Sequence, residues 1–254
     1  MRLVLIAIFL VVMSAEISAY TSPIERDEVV TFFPSIGYPV AKGALWELHI
    51  HGWIYEPHWG AGFRDQLRSW LNLGTDNKAP EENTLSKEIM GAFFVDNKGD
   101  KQIAVRVGSK ELVLDPSTPN GHFSGWLHLP AAEVAALRKG DFINFAAVTP
   151  ANESRHFEGK IQLVESTGIS VVSDIDDTIK ISEVRDKTAF FANTFVHPFQ
   201  AVPQMNSLYS AWAKQANVAF HYVSGSPWQL YLPLSELLSS SGFPPGSFHL
   251  RFFR

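Results

Sequence analysis

Gly168-Ile169-Ser170-Val171-Val172-Ser173-Asp174-Ile175-Asp176-Asp177-Thr178-Ile179 carries the pattern that decides the fold. A short β-branched run, the profile of a strand buried on both faces, ends abruptly in three carboxylates and a threonine. In an open parallel sheet, reactive groups belong just beyond the carboxyl ends of the strands. That places Asp174 at such an end and Asp176 two residues into the loop. Two carboxylates at this spacing suit phosphoryl transfer: Asp174 attacks phosphorus to form an aspartyl-phosphate, and Asp176 donates a proton to the leaving oxygen. Together they offer hard oxygens to Mg2+, which offsets the repulsion between carboxylate and phosphate. A surface turn or an adventitious calcium loop is the bland alternative for such an acidic cluster.

Working outward, the connection to the next strand runs roughly 40 residues, enough for a crossover helix plus an insertion. Met205, Leu208, Tyr209 and Trp212 fall at helix spacing behind Pro203, which suits a first turn. Ala216 to Val223 predicts a second strand ending at Ser224. Ser226-Pro227 then opens a helix whose free N–H groups suit an anion. As plain caps, the same serines need no ligand. Pro233 has to kink or restart that helix, and Gly242 with Pro244-Pro245-Gly246 ends it.

These residues also carry a resemblance. Asp174 to Thr178 resembles the D-x-D-x-T signature of haloacid-dehalogenase-like phosphatases. Asp174-Ile175-Asp176-Asp177-Thr178-Ile179-Lys180, Asn193-Thr194-Phe195, Tyr222 to Leu230 and Gly246-Ser247-Phe248-His249-Leu250 together resemble the catalytic domain of the actin-patch-associated phosphatidate phosphatase family. The likeness covers roughly Ser166 to Arg254.

It implies a partial haloacid-dehalogenase-like Rossmannoid α/β domain and a Mg2+-dependent phosphatidate phosphatase yielding diacylglycerol and phosphate. In that scheme Asp174 is the nucleophile, Asp176 is acid then base, and both serve the metal. Thr178, Ser224 and Ser226 surround the phosphoryl group. Lys180 or Arg185 meets the phosphate of phosphatidate, or of another lipid phosphate at a membrane surface. Arg185 to Phe199, with Phe190, Phe191, Phe195, His197 and Phe199, forms a small cap that either touches acyl chains or packs onto the core. The family also has a downstream lysine and a further acidic motif, and neither follows Phe252-Phe253-Arg254 in this sequence. The corresponding expectations are a truncated gene product, or a module that binds lipid phosphate without turnover. A phosphatase for a soluble phosphomonoester is a third.

The 254 residues are divided by this pattern into an α+β, two-domain chain. Residues 1–19 read as a signal peptide, with an uncleaved anchor or buried helix as alternatives, and point to the secretory pathway or the exterior. Residues 20–165 form a β-rich, β-sandwich-like accessory domain, and 166–254 the catalytic part. A net charge of −5 argues against a nucleic-acid partner. The absence of cysteine excludes disulfides, thiolate zinc sites and a cysteine nucleophile. Asn152-Glu153-Ser154 is a sequon.

In the β-rich part, strands are expected at Val29 to Phe33 and over the alternating segment around Trp46, Leu48 and Ile50, with Gly52 as a bulge. Further strands are expected at Ile89 to Val95, Gln102 to Val107, Lys110 to Leu114, His122 to Leu129, Phe142 to Val148 and Gly159 to Val164. Asn97-Lys98-Gly99-Asp100 reads as a hairpin turn. Phe63 to Leu73 reads as an amphipathic helix. His49 and His51, with Glu47 and His58, form either a metal set or a solvated strand face.

Overall fold

The computed structural model describes residues 21–57 and 87–252. The expected leader at 1–19, His58, the helix at 63–73 and Phe253-Arg254 lie outside the described residues. Among those described, 21–56 and 97–166 cluster as one compact unit, and 57, 87–96 and 167–252 as a second.

The first unit is built on a sheet of β1 (Val29–Phe33), β2 (Ser35–Val40), β3 (Leu45–Pro57), β5 (Ala104–Val107), β6 (Lys110–Val113), β7 (His122–Pro130), β8 (Phe142–Ala147) and β9 (Glu158–Leu163). Its path is β1-β3-β2-β9-β8-β5-β6, and β7 also pairs with β3. Alternation along β3 sends Trp46, Leu48 and Ile50 into a core shared with Phe32, Val105, Phe123, Phe145 and Ile161. A short helix, α2 (Ala131–Leu137), closes over that core through Val134.

Three expectations for this part are corrected. Gly52 is no bulge, because it pairs in unbroken register with Phe32 and Phe123. It is glycine because a Cβ there would run into the Phe123 ring. The tight hairpin sits at Gly108-Ser109, between the paired residues Val107 and Lys110 of β5 and β6, rather than at Asn97 to Asp100. Residues 89–95 are not one strand: α1 (Lys87–Gly91) occupies their first part, and a short β4 (Val95–Asn97) follows. The one-turn spacing of Met90 and Phe93, joined by a 2.9 Å backbone hydrogen bond, wins over β propensity there.

The second unit holds a three-stranded parallel sheet, β10 (Ile169–Asp174), β11 (Val218–Pro227) and β12 (Ser247–Arg251), with β11 central. α3 (Lys187–Phe195) and α4 (Met205–Trp212) lie between β10 and β11, and α5 (Tyr231–Ser240) between β11 and β12. Tyr209 of α4 stacks on Phe220 and meets Ser173 Oγ at 2.8 Å, so α4 covers one face of the sheet. Asp186 starts α3 by accepting from the amides of Thr188 and Ala189.

Here too the sequence misleads in part. β10 is not buried on both faces: it is an edge of this sheet, with Ile169 50% and Val172 69% exposed. Its apolar residues reflect β propensity, and only Ser173 faces fully inward. Pro203 does not open α4, which begins after Gln204 in a left-handed conformation at φ 70. Pro233 produces no kink, because it falls in the first turn of α5, where its missing N–H has no helical partner to lose.

Candidate active site

Parallel pairing aligns Asp174 with Val223, so β10 ends beside the point where β11 reaches Ser224. Asp174 is exposed at the last position of its strand. Ile175 dives into the core and is fully buried, as is Ile179. Between them the chain turns tightly: the amides of Thr178, Ile179 and Lys180 all donate to the Ile175 carbonyl, at 3.3, 2.9 and 2.9 Å. Asp177 adopts φ +59 at the apex.

Sequence inspection assigned Asp177 no task, and the structure gives it one. Its carboxylate accepts from the amides of Ser182 (2.8 Å), Glu183 (2.6 Å) and Val184 (2.9 Å), pinning the returning chain. Those amides hold its pKa below the usual carboxylate value, the Val184 bond first among them.

Asp176 is the hub. Its Oδ2 accepts from Ser224 Oγ at 2.7 Å and Ser226 Oγ at 3.2 Å, and its Oδ1 accepts from Ser182 Oγ at 2.7 Å. Lys180 Nζ lies 3.8 Å from Oδ1. The Ser226 amide in turn donates to Ser224 Oγ at 2.9 Å. Thr178 Oγ1 approaches Asp174 Oδ2 at 3.5 Å, the loosest of these contacts. Six expected residues therefore meet in two groups: Asp174 with Thr178, and Asp176 with Ser224, Ser226 and Lys180.

Two details differ from expectation. β11 does not stop at Ser224 but continues to Pro227 through a shift in register. A 3-10 turn, Trp228–Leu230, then precedes α5. As the Ser226-Pro227 reading expected, the helical stretch opens here, with Pro227 as its N-cap, and the Ser226 hydroxyl serves Asp176 instead of capping. Lys180 is 1% exposed and turns inward, donating to Ser182 Oγ at 2.7 Å and standing 4.7 Å over the Phe199 ring. Burial pulls its pKa below the usual lysine value, while the charges of Asp176 and Asp177 oppose that shift. Arg185 is exposed, and none of its hydrogen bonds or ion pairs among the described residues joins it to the carboxylates.

Residues 169–254 match the family model described as Phosphatidate phosphatase APP1, catalytic domain. That segment is similar to the APP1 catalytic domain. The chain is 37% identical over 91 residues to Phosphatidate phosphatase APP1 of Saccharomyces cerevisiae, covering 35% of this chain and 15% of the relative. A protein of Schizosaccharomyces pombe is 30% identical over 107 residues, covering 38% of this chain and 16% of its own. The chain thus spans less than a fifth of the length of these curated relatives.

Within the APP1-type segment, the aromatic residues after Arg185 divide their work. Phe195 is buried and packs edge-on against Phe93 at 5.7 Å. Phe199 underlies Lys180 and also lines a cavity of about 440 Å3 with Ile89, Val196, Pro198, Pro233 and Leu237. The residue that motif spacing missed is Ser182, fully buried and bonded to Asp176. A serine in an irregular return loop carries no periodic signal.

In the first unit, the His face has its own partners. Glu47 accepts from Tyr38 OH at 2.8 Å and lies 3.3 Å from His128 Nε2. His49 packs on Trp126, and His51 Nε2 meets His122 Nδ1 at 3.1 Å. Among the described residues, no group of three or more His, Cys, Asp or Glu side chains is placed to hold a metal ion.

Proposed function

We propose that this chain is a Mg2+-dependent phosphatase that hydrolyses phosphatidate to diacylglycerol and phosphate at a membrane surface. One observation carries the chemistry: an exposed strand-end carboxylate, Asp174, stands in a loop whose second carboxylate, Asp176, is hydrogen-bonded at 2.7 Å to Ser224 of the adjoining strand end. The lipid substrate follows from the name of the yeast relative.

Asp174 attacks phosphorus as the bond to the diacylglycerol oxygen breaks, and Asp176 gives that oxygen its proton. Asp176 then takes a proton from water, which attacks phosphorus and releases phosphate from Asp174. Ser224 and Ser226 turn their hydroxyls from Asp176 to the phosphoryl oxygens when substrate enters. Each hydroxyl has a single proton to donate, so one bond is exchanged for the other.

The residues fit a water-rich Mg2+ site. The three amides on Asp177 and three hydroxyls on Asp176 leave Asp174 as the side-chain ligand, joined by the Asp176 carbonyl. One or two protein oxygens completed by phosphate and water is the usual arrangement for this ion. Mg2+ held there neutralises charge on the phosphate.

Phosphate release from phosphatidate micelles with Mg2+ tests the proposal. Asp174→Asn is expected to lower it by about 10³-fold or more without unfolding the chain. Turnover that survives Asp174→Asn removes the mechanism. Release from a soluble phosphomonoester but not from micelles transfers the site to a different substrate class, and binding without release leaves a non-catalytic module.

A further inference from the structure

Asp176 has two unlike sides. On Oδ2 it meets the hydroxyls of Ser224 and Ser226, groups that bound phosphate competes for. On Oδ1 it meets Ser182 Oγ, which accepts from Lys180 Nζ at 2.7 Å while donating to Asp176 at 2.7 Å. Ser182 is 0% and Lys180 1% exposed, so this second side is closed to solvent and substrate alike.

Lys180 is itself fixed. Its amide donates to the Ile175 carbonyl at 2.9 Å, its carbonyl accepts from Asp177 at 2.7 Å, and its ammonium rests over Phe199. The Ser182 amide is held by Asp177 Oδ1. The last torsion of a carboxylate is soft, so its aim is set by the hydrogen bonds its oxygens accept. When substrate draws Ser224 and Ser226 away, Oδ1 is the anchor that remains.

Resting on the phosphatase mechanism above, we propose that Lys180 and Ser182 are positioning residues: a buried clamp that keeps the Asp176 carboxylate aimed at the leaving oxygen while phosphate occupies the serines. Lys180 then acts through Asp176 and never touches the lipid phosphate.

Leaving-group dependence separates this role from general support of the fold. An alkyl leaving oxygen needs a proton as it departs, whereas p-nitrophenolate leaves without one. kcat/KM reports the steps up to formation of the aspartyl-phosphate. Ser182→Ala is expected to lower kcat/KM for dioctanoyl phosphatidate by about 10- to 100-fold, yet for p-nitrophenyl phosphate by only about threefold. Ser182→Thr keeps the hydroxyl and is expected to recover most of the loss. Lys180→Met, if it folds, should show the same asymmetry. Equal losses on both substrates, or no loss on either, overturn the clamp while leaving the phosphatase mechanism standing. An unaltered chain that turns over neither substrate overturns both.

Discussion

Two polar clusters sit on two sheets of this chain and behave differently. On the first unit, Tyr38, Glu47, His49, His51 and His128 spread over the middle of an antiparallel face. Each is matched to a cross-strand neighbour: Glu47 lies opposite His128, and His49 opposite Trp126. On the second, Asp174, Asp176, Ser224 and Ser226 gather where β10 ends beside the last residues of β11. Antiparallel pairing disperses polar groups along a surface, whereas parallel pairing delivers every carboxyl end to one edge, and the loops there converge. The reaction proposed above uses the second cluster and asks nothing of the first.

Altering the hub of the second cluster should produce the largest effect. Asp176→Asn keeps the shape but can neither give nor take the proton, and phosphate release is expected to fall by about 10²- to 10⁴-fold. Retained activity would break the distinction between the clusters.

The next effect is one of stability in the first unit. His122 is buried, lies between Phe33 and Trp53, and has its pKa lowered to about 4 by burial. Above pH 6.5 it is neutral both folded and unfolded. As pH falls from 6.5 towards 4, the unfolded chain takes up a proton that the folded chain refuses, and stability declines by roughly 3 kcal/mol over that window. Urea midpoints between pH 7 and 4 should show this decline, and His122→Asn should remove it. A midpoint with the same pH dependence in the variant would refute it.

Asp177→Ala releases three amides at a partly solvated turn and is expected to cost about 1–2 kcal/mol, with faster hydrogen exchange at Ser182, Glu183 and Val184. Unchanged exchange there would mean the turn holds without its carboxylate. Glu47→Gln should be nearly silent, within about 0.5 kcal/mol in stability and without change in phosphate release. A large fall in turnover would give the first cluster a part in the reaction.

How much of this was legible in the sequence depended on whether a residue's neighbours were local. The end of β10 at Asp174 and most strands of the first unit were readable, because alternation and β-branched runs are local signals. The joining of Asp176 to Ser224 was legible only through motif resemblance. Ser182 was not legible, since its role depends on an irregular loop held by Asp177. An apolar run specifies a strand without specifying its place in the sheet, and β10 lies at the edge. Residues 89–95 were misread because a short apolar run is compatible with helix or strand, and burial of Ile89 and Met90 decided it.

The hydrogen bond between Asp176 and Ser224 joins positions 48 apart in the chain. A growing polypeptide therefore carries its acidic loop for some time before the serine that completes it has been made. Closing so distant a pair is slow, and its entropic cost is recovered only when β11 docks. Before that moment the acidic loop is incomplete, and afterwards it depends on the sheet, so partial unfolding of β11 should abolish turnover before the rest of the molecule melts.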